Sequence, residues 1–149
     1  RSYTLFSKRY SIALRGIAGI STGPNHQRFS LGGYYGIRAY GDNLSGSKKA
    51  VLTAELRFPF FEYIDMAFPL PLTIPNIRGS IFAELGTVFD DFDNFQPFDG
   101  SKLKDLKLGY GFGPRLDLGY VILALDVTWL TDLETNSKPT FYISLSEDF

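Results

Sequence analysis

The chain has 149 residues with a formal net charge of −1, 44% hydrophobic and 16% aromatic residues, no cysteine and a single histidine, His26. Near-neutral charge argues against a nucleic-acid partner, and the absence of cysteine excludes a disulfide framework, a Cys/His metal site and a thiol nucleophile. No stretch reaches the roughly 18 consecutive apolar residues of a transmembrane helix.

Segments in which apolar and polar residues alternate with the period of β-strands follow one another along the chain. The first, Ser2–Phe6, is short, and the third, residues 28–40, alternates weakly because three glycines interrupt it. The eight segments are Ser2–Phe6, Tyr10–Ile20, 28–40, 51–60, 77–89, 106–118, 121–129 and 141–149. We predict an all-β chain of eight antiparallel strands joined as consecutive hairpins, in one domain over residues 1–149.

This strand order sorts the connections into two sets at opposite ends of the sheet. The first set is 7–8, 41–49, 90–102 and 132–139, and the second is 21–27, 61–75 and 119–120. Long polar loops at one end and short turns at the other are typical of outer-membrane barrels. Residues 61–75 depart from this pattern because they are long, apolar and rich in proline, so we predict an interfacial segment there.

The alternation fits two architectures. A soluble barrel, for example a lipocalin-like binder, has its apolar face inside, whereas a membrane barrel presents that face to lipid. Glycines and isolated charges on the polar faces, and aromatic residues at strand ends, favour the transmembrane up-and-down barrel. The charges predicted to face its lumen are Arg15, Arg38, Glu55, Arg57, Arg78, Glu84, Lys107, Arg115, Asp117 and Asp126.

Candidates for chemistry are few. His26 lies in an expected turn, the acidic residues 90–93 are expected to be solvated rather than to bind a cation, and nothing fixes the separation that Glu84 and Asp117 would need for glycoside hydrolysis. We predict no enzymatic activity, no catalytic residue, no metal site and no cofactor.

Five ordered motifs carry a resemblance that covers nearly the whole chain. Residues 28–40 read R-F-S-L-G-G-Y-Y-G-I-R-A-Y, residues 54–59 A-E-L-R-F-P, residues 77–86 I-R-G-S-I-F-A-E-L-G and residues 111–119 G-F-G-P-R-L-D-L-G, and 141–149 form an alternating aromatic-ended terminus. In this order they resemble the C-terminal barrel region of the BamA/TamA-type bacterial surface antigen family of outer-membrane proteins.

The resemblance implies the C-terminal eight strands of a sixteen-stranded barrel whose sixth extracellular loop folds into the lumen. That loop would follow Tyr40, Arg38 would be its arginine and Glu84 the acceptor of that arginine. The implied C-terminal strand signal consists of Phe141, Ile143, Leu145 and Phe149. Two features depart from the family pattern: Ala39 stands where the family has glycine, and residues 41–49 are short for such a loop.

The implied function is insertion and assembly of outer-membrane proteins, or polypeptide translocation, in the outer membrane of a Gram-negative bacterium or a related organelle. The implied partners are the lipid bilayer and client outer-membrane proteins, with no nucleic acid. The alternative is a passive pore or a purely structural small barrel without transport activity. Because an open strand edge is forbidden in lipid, we expect the chain to close on itself, to form a homodimer, or to be completed by N-terminal strands outside this sequence.

Overall fold

The computed structural model describes residues 2–6, 10–25, 27–33, 35–40, 44–66, 72–118 and 121–146, and these contain only β-strands and irregular structure. The strands are β1 Ser2–Phe6, β2 Tyr10–Ile20, β3 Phe29–Ser30, β4 Ser45–Gly46, β5 Lys48–Met66, β6 Leu72–Phe89, β7 Phe98–Asp99, β8 Lys102–Leu103, β9 Lys107–Asp117, β10 Ile122–Thr131 and β11 Thr140–Ser146. Within these ranges we find no helix long and apolar enough to span a membrane.

Seven of the strands form one antiparallel sheet in the order β1-β2-β5-β6-β9-β10-β11. The pairs β3-β4 and β7-β8 are separate two-stranded ribbons within longer connections. The all-β antiparallel prediction is therefore confirmed, but the count of eight sheet strands is wrong. In the described part of the chain the sheet is open, with β1 and β11 as its edge strands.

The predicted strand over residues 28–40 is the source of the miscount, since among its described residues only Phe29–Ser30 belongs to a strand and a turn brings Ile37 back to Leu31. The main-chain N–H of Ile37 donates to the carbonyl oxygen of Leu31 over 2.8 Å. A Cβ at Gly36 would lie 1.8 Å from that same oxygen, so only glycine fits the turn. The glycines that weakened the alternation thus mark a loop that leaves the sheet.

Because residues 28–40 do not form a sheet strand, the connections divide differently between the two ends of the sheet. The connections β1–β2, β5–β6 and β9–β10 lie at one end, and the long polar connections 21–47, 90–106 and 132–139 lie at the other. Our sorting was therefore wrong for residues 21–27, which belong to the opposite set, and the strand ends that flank residues 7–8 also lie at the opposite end. The corrected arrangement separates short from long connections completely, as outer-membrane barrels do. Residues 7–8 and 119–120 themselves lie outside the described residues.

Most of segment 61–75, predicted to be interfacial, belongs to β5 and β6, and residues 67–71 lie outside the described residues. After a bulge between Pro59 and Phe61, the two strands pair as far as Met66 and Leu72. Beyond Arg57 strand β5 no longer pairs with β2, and before Arg78 strand β6 does not pair with β9. Proline lacks an N–H donor and is tolerated at such unpaired strand edges, which explains how Pro59 and Pro75 fit within strands.

The two faces of the sheet differ in the sense expected for a membrane barrel. On the face we term outer, Leu52, Ile81 and Phe112 are 62%, 53% and 53% exposed. On the opposite, inner face, Glu55 and Glu84 are 3% and 0% exposed. The predicted division of alternating residues between two faces is confirmed, and the soluble alternative with its apolar face buried is contradicted.

Candidate functional site: a buried charge cluster beneath the 21–47 loop

The loop formed by residues 21–47 packs against the inner face of the sheet. Leu31 and Ile37 from the loop are completely buried against Val51 and Val88 from β5 and β6. On β9, Gly109 makes room for the loop, because a Cβ there would lie 2.6 Å from Cγ2 of Ile37. This small apolar contact places the next loop residue, Arg38, over the charged part of the inner face.

Arg38 reaches carboxylates from three different strands. Its Nη2 lies 3.0 Å from Oε2 of Glu55 on β5, and its Nη1 lies 2.9 Å from Oδ2 of Asp126 on β10. Towards Glu84 on β6, the main-chain N–H of Arg38 donates to Oε2 over 2.7 Å. The Arg38 Nε and the second Glu84 oxygen lie 3.0 Å apart as an ion pair without hydrogen-bond alignment. One loop residue therefore connects the loop to β5, β6 and β10.

Two further arginines complete what we call the buried charge cluster. Arg115 on β9 lies 2.5 Å from Oδ1 of Asp126 and 3.4 Å from Glu55, and Arg57 Nε donates to Oε1 of Glu55 over 2.9 Å. The cluster consists of Arg38, Glu55, Arg57, Glu84, Arg115 and Asp126. Its three cations and three anions cancel formally, which offsets much of the cost of removing them from water.

Small and aromatic neighbours shape the space around the cluster. The guanidinium of Arg38 lies 4.0 Å from the ring centroid of Phe82, close enough for a cation–π interaction. A Cβ at Gly113 would come within 2.7 Å of Asp126 Oδ1 and 1.8 Å of the Leu125 carbonyl oxygen. Sequence reasoning did not identify Phe82 as part of the site, although its position between charged residues on the inner face was the available signal.

The structure brings six of the ten predicted lumen charges together and leaves the others outside the cluster. Arg15 is nearby, since it interacts electrostatically with Glu84 and its guanidinium lies 6.0 Å from the Tyr35 ring. Arg78 is exposed, while Lys107 and Asp117 are half-buried at opposite ends of β9.

The two carboxylates weighed for glycoside hydrolysis are far apart. Glu84 pairs with Gly109, eight residues along β9 from Asp117, a separation of roughly 27 Å. Hydrolases need carboxyl groups within about 10 Å of each other. Within the described ranges, no group of three or more His, Cys, Asp or Glu residues could hold a metal ion. His26 lies outside those ranges.

The C-terminal strand signal falls on β11. Phe141, Ile143 and Leu145 all lie on the outer face and are 78%, 69% and 67% exposed. They alternate with the half-buried residues Tyr142 and Ser144. Phe149 lies outside the described residues.

A second polar contact holds the loop at the end of the sheet with the long connections. The main-chain N–H of Ser47 donates to Oδ1 of Asp90 over 2.8 Å, and Arg28 Nη2 lies 3.3 Å from Oδ2. The Ser47 N–H, followed by the Arg28 charge, holds the pKa of the Asp90 carboxyl below its usual range. Both charged side chains are about half exposed, so this contact is weaker than the buried cluster.

The family model described as the Omp85 superfamily domain matches residues 2–149, nearly the whole chain. No curated protein and no solved structure gives a significant match.

Proposed function

The chain belongs to the Omp85 superfamily, and from this membership we propose that it forms part of a barrel that helps to insert or translocate other polypeptides. Omp85 barrels are non-enzymatic transmembrane β-barrels in the outer membranes of Gram-negative bacteria or of organelles, and the family is associated with outer-membrane protein assembly and translocation. Membership confirms the expected family, its membrane location and the absence of enzymatic activity. We further propose that residues 1–149 act as one barrel-forming unit.

The observation that carries the functional proposal is the attachment of the 21–47 loop through Arg38. A loop held by one arginine to β5, β6 and β10 fixes the relative positions of three strands. Losing that arginine would leave three carboxylates buried beside fewer cations, which is costly. We therefore assign Arg38 the role of a latch and Glu84 that of its principal acceptor, because Glu84 binds both the main chain and the side chain of Arg38.

The packing of the loop bears on the passive-pore alternative. An open aqueous pore would wet the charges that line it. Instead, the loop residue Arg38 and its partners Glu84 and Asp126 are at most 4% exposed. This burial supports a closed resting state in which the loop occupies the inner face, and it favours a regulated barrel over a permanently conducting one.

Whether the number of sheet strands is odd or even determines whether the barrel can close with an antiparallel seam. The seven sheet strands found among the described residues alternate in direction, so β1 and β11 point the same way. Closing the sheet on itself would make this seam parallel, and so would joining two copies side by side in the same orientation. Bacterial outer-membrane barrels have an even number of antiparallel strands. We therefore propose completion by an odd number of further strands, which would be nine if the total is the sixteen implied by the family resemblance.

Insertion activity can be tested in lipid vesicles by measuring how fast a second outer-membrane barrel folds into them. We expect vesicles containing the chain, together with its completing strands, to accelerate folding over empty vesicles. The variant Arg38→Lys keeps the charge but cannot reach three carboxylates, so it should lose most of the acceleration. Arg28→Lys is the matched control in the same loop and should retain it. Wild-type vesicles no faster than empty ones would support a passive or structural barrel instead.

Completion can be tested separately by the detergent-corrected mass of the refolded chain. Because neither self-closure nor side-by-side joining of copies gives an antiparallel seam, we expect the chain refolded alone to associate through its open edges without one defined copy number per micelle. A single copy per micelle that resists heat like a closed barrel would contradict the parity argument.

A further inference from the structure

The outer face carries a groove across strands β5, β6, β9 and β10. Its volume is about 520 Å³. Gly79 and Pro114, which are cross-strand partners on β6 and β9, lie on its floor. The Phe58 ring packs over Gly79, where a Cβ would lie 2.6 Å from the ring, so Pro114 forms the open part of the floor. Ile81 and Phe112, the next cross-strand pair on this face, project beside the floor and are each 53% exposed. The hollow therefore lies beside the Phe58 ring and above Pro114, on a face that otherwise carries large side chains.

Aromatic rings form both walls of the groove. On one side, Phe58 and Phe60 are in edge contact with ring centroids 6.4 Å apart. On the other, Trp129 stacks between Tyr110 and Phe112 at centroid distances of 5.8 and 5.9 Å. Such ring contacts restrict side-chain motion, so the groove exists before anything binds in it.

We propose that this groove binds one acyl chain of a membrane phospholipid. The groove opens on the exposed apolar face and is continuous with it, and in an Omp85 barrel that face meets the bilayer. The residues that line it include no charged side chain. Its volume falls within the range of roughly 300–1,000 Å³ typical of small-molecule sites, which are also mostly apolar and largely preformed.

The shape of the groove favours a linear hydrocarbon over a protein surface. Its aromatic walls stand on β5 at one side and on β9 and β10 at the other and project above its floor, so a narrow hydrocarbon chain can enter where a flat protein surface cannot. A stable contact with a second copy buries about 800 Å² on each partner, and so extends well beyond such a hollow. The inference rests on the membrane location of the family and is independent of whether the barrel inserts polypeptides.

The single tryptophan of the chain provides a direct test, because Trp129 is part of the groove wall. The refolded chain in detergent is titrated with phosphatidylcholine that carries bromine atoms at mid-chain, a contact quencher of tryptophan fluorescence. A matched reporter combines Trp129→Phe with Leu52→Trp, which places the only tryptophan on the same outer face but outside the groove. A third variant, Pro114→Leu, fills the floor of the groove and retains Trp129.

We expect quenching of Trp129 to saturate near one lipid per chain and, at that ratio, to exceed quenching of the Leu52→Trp reporter several-fold. The reporter should instead respond in proportion to the lipid fraction of the micelle. Pro114→Leu should bring Trp129 close to the behaviour of the reporter.

Identical, non-saturating curves for both tryptophans would overturn the proposal, since the groove would then be ordinary lipid-facing surface. Weak quenching of Trp129 combined with an emission maximum that depends on protein concentration would also overturn it, in favour of a second copy of the chain as the occupant.

Discussion

A soluble sheet buries its apolar face and exposes its charged face. In this protein the inner face buries its charges, and the outer face of the same strands exposes its apolar side chains. On β6, Glu84 is completely buried while Ile81, three residues away, is 53% exposed. On β10, Asp126 is 2% exposed in the buried charge cluster, whereas Trp129 lies on the outer face in the aromatic wall of the groove. The inner face therefore buries paired charges beside the small apolar contact of the loop, while large apolar side chains on the outer face stay exposed.

The two faces depend on different kinds of interaction. Each carboxylate of the inner cluster has specific arginine partners at hydrogen-bond or ion-pair distance, so the inner face should respond to the loss of single atoms. The outer face needs only to be apolar, so it should tolerate changes in shape but not the introduction of charge. Substitutions at Asp126, Leu52 and Gly113, each with a control, test this difference.

The largest effect is expected for Asp126→Ala on the inner face. It removes the partner shared by Arg38 and Arg115 and leaves excess positive charge buried in the cluster. We expect the free energy of unfolding, measured by urea titration in lipid vesicles, to fall by about 3–5 kcal/mol. Asp91→Ala, in an exposed connection, is the control and should change it by less than about 0.5 kcal/mol. A loss below about 1 kcal/mol for Asp126→Ala would mean that the cluster is wetted rather than buried.

On the outer face, Leu52→Arg introduces a charge near the middle of the part of β5 that is paired on both sides. We expect a loss of about 2–4 kcal/mol in the same titration, because arginine near the bilayer midplane is unfavourable. Leu52→Phe keeps the site apolar and should behave like the wild type. Equal stability of the two variants would show that this position does not face lipid.

Glycine-to-alanine substitutions, which add one methyl group, compare how tightly the two faces are packed. Gly113→Ala places a Cβ 1.8 Å from the Leu125 carbonyl oxygen on the crowded inner face, and we expect a loss of about 1–3 kcal/mol from overpacking. The same change at Gly16, on the outer face, meets only a Leu52 methyl at 3.4 Å and should be neutral within about 0.5 kcal/mol. If both alanine variants unfold at the same urea concentration, the two faces do not differ in packing density.

The smallest effect concerns the exposed contact between Ser47 and Asp90. Because the folded state lowers the pKa of Asp90, the stabilisation is present above the usual value of 3.8 and is lost as the pH falls through the lower folded value. Hydrogen exchange should therefore show the Ser47 amide protected at about pH 5 and losing relative protection below about pH 3.8. Asp90→Asn should abolish this pH dependence. The same acid-dependent loss in Asp90→Asn would assign it to other carboxyl groups.

Local patterns in the sequence were sufficient to predict much of this protein. Strict alternation in residues 106–118 and 121–129 determined which side chains share a face, because successive residues of a strand point in opposite directions. The same alternation placed Glu55, Glu84, Arg115 and Asp126 on one face. The family resemblance additionally paired Arg38 with Glu84, and the structure brings these two residues into contact.

What only the tertiary structure decided are the relations between segments that are distant in the sequence. Alternation alone could not show that residues 28–40 leave the sheet, since a short loop and a weak strand have similar patterns; the turn at Gly36 and the docking of Ile37 over Gly109 decide it. Neither could it show that Arg38 also binds Glu55 and Asp126, or that Gly79 faces Pro114 across the floor of a groove. Those contacts depend on the register between strands, which is set by the packing of the whole sheet and its loop.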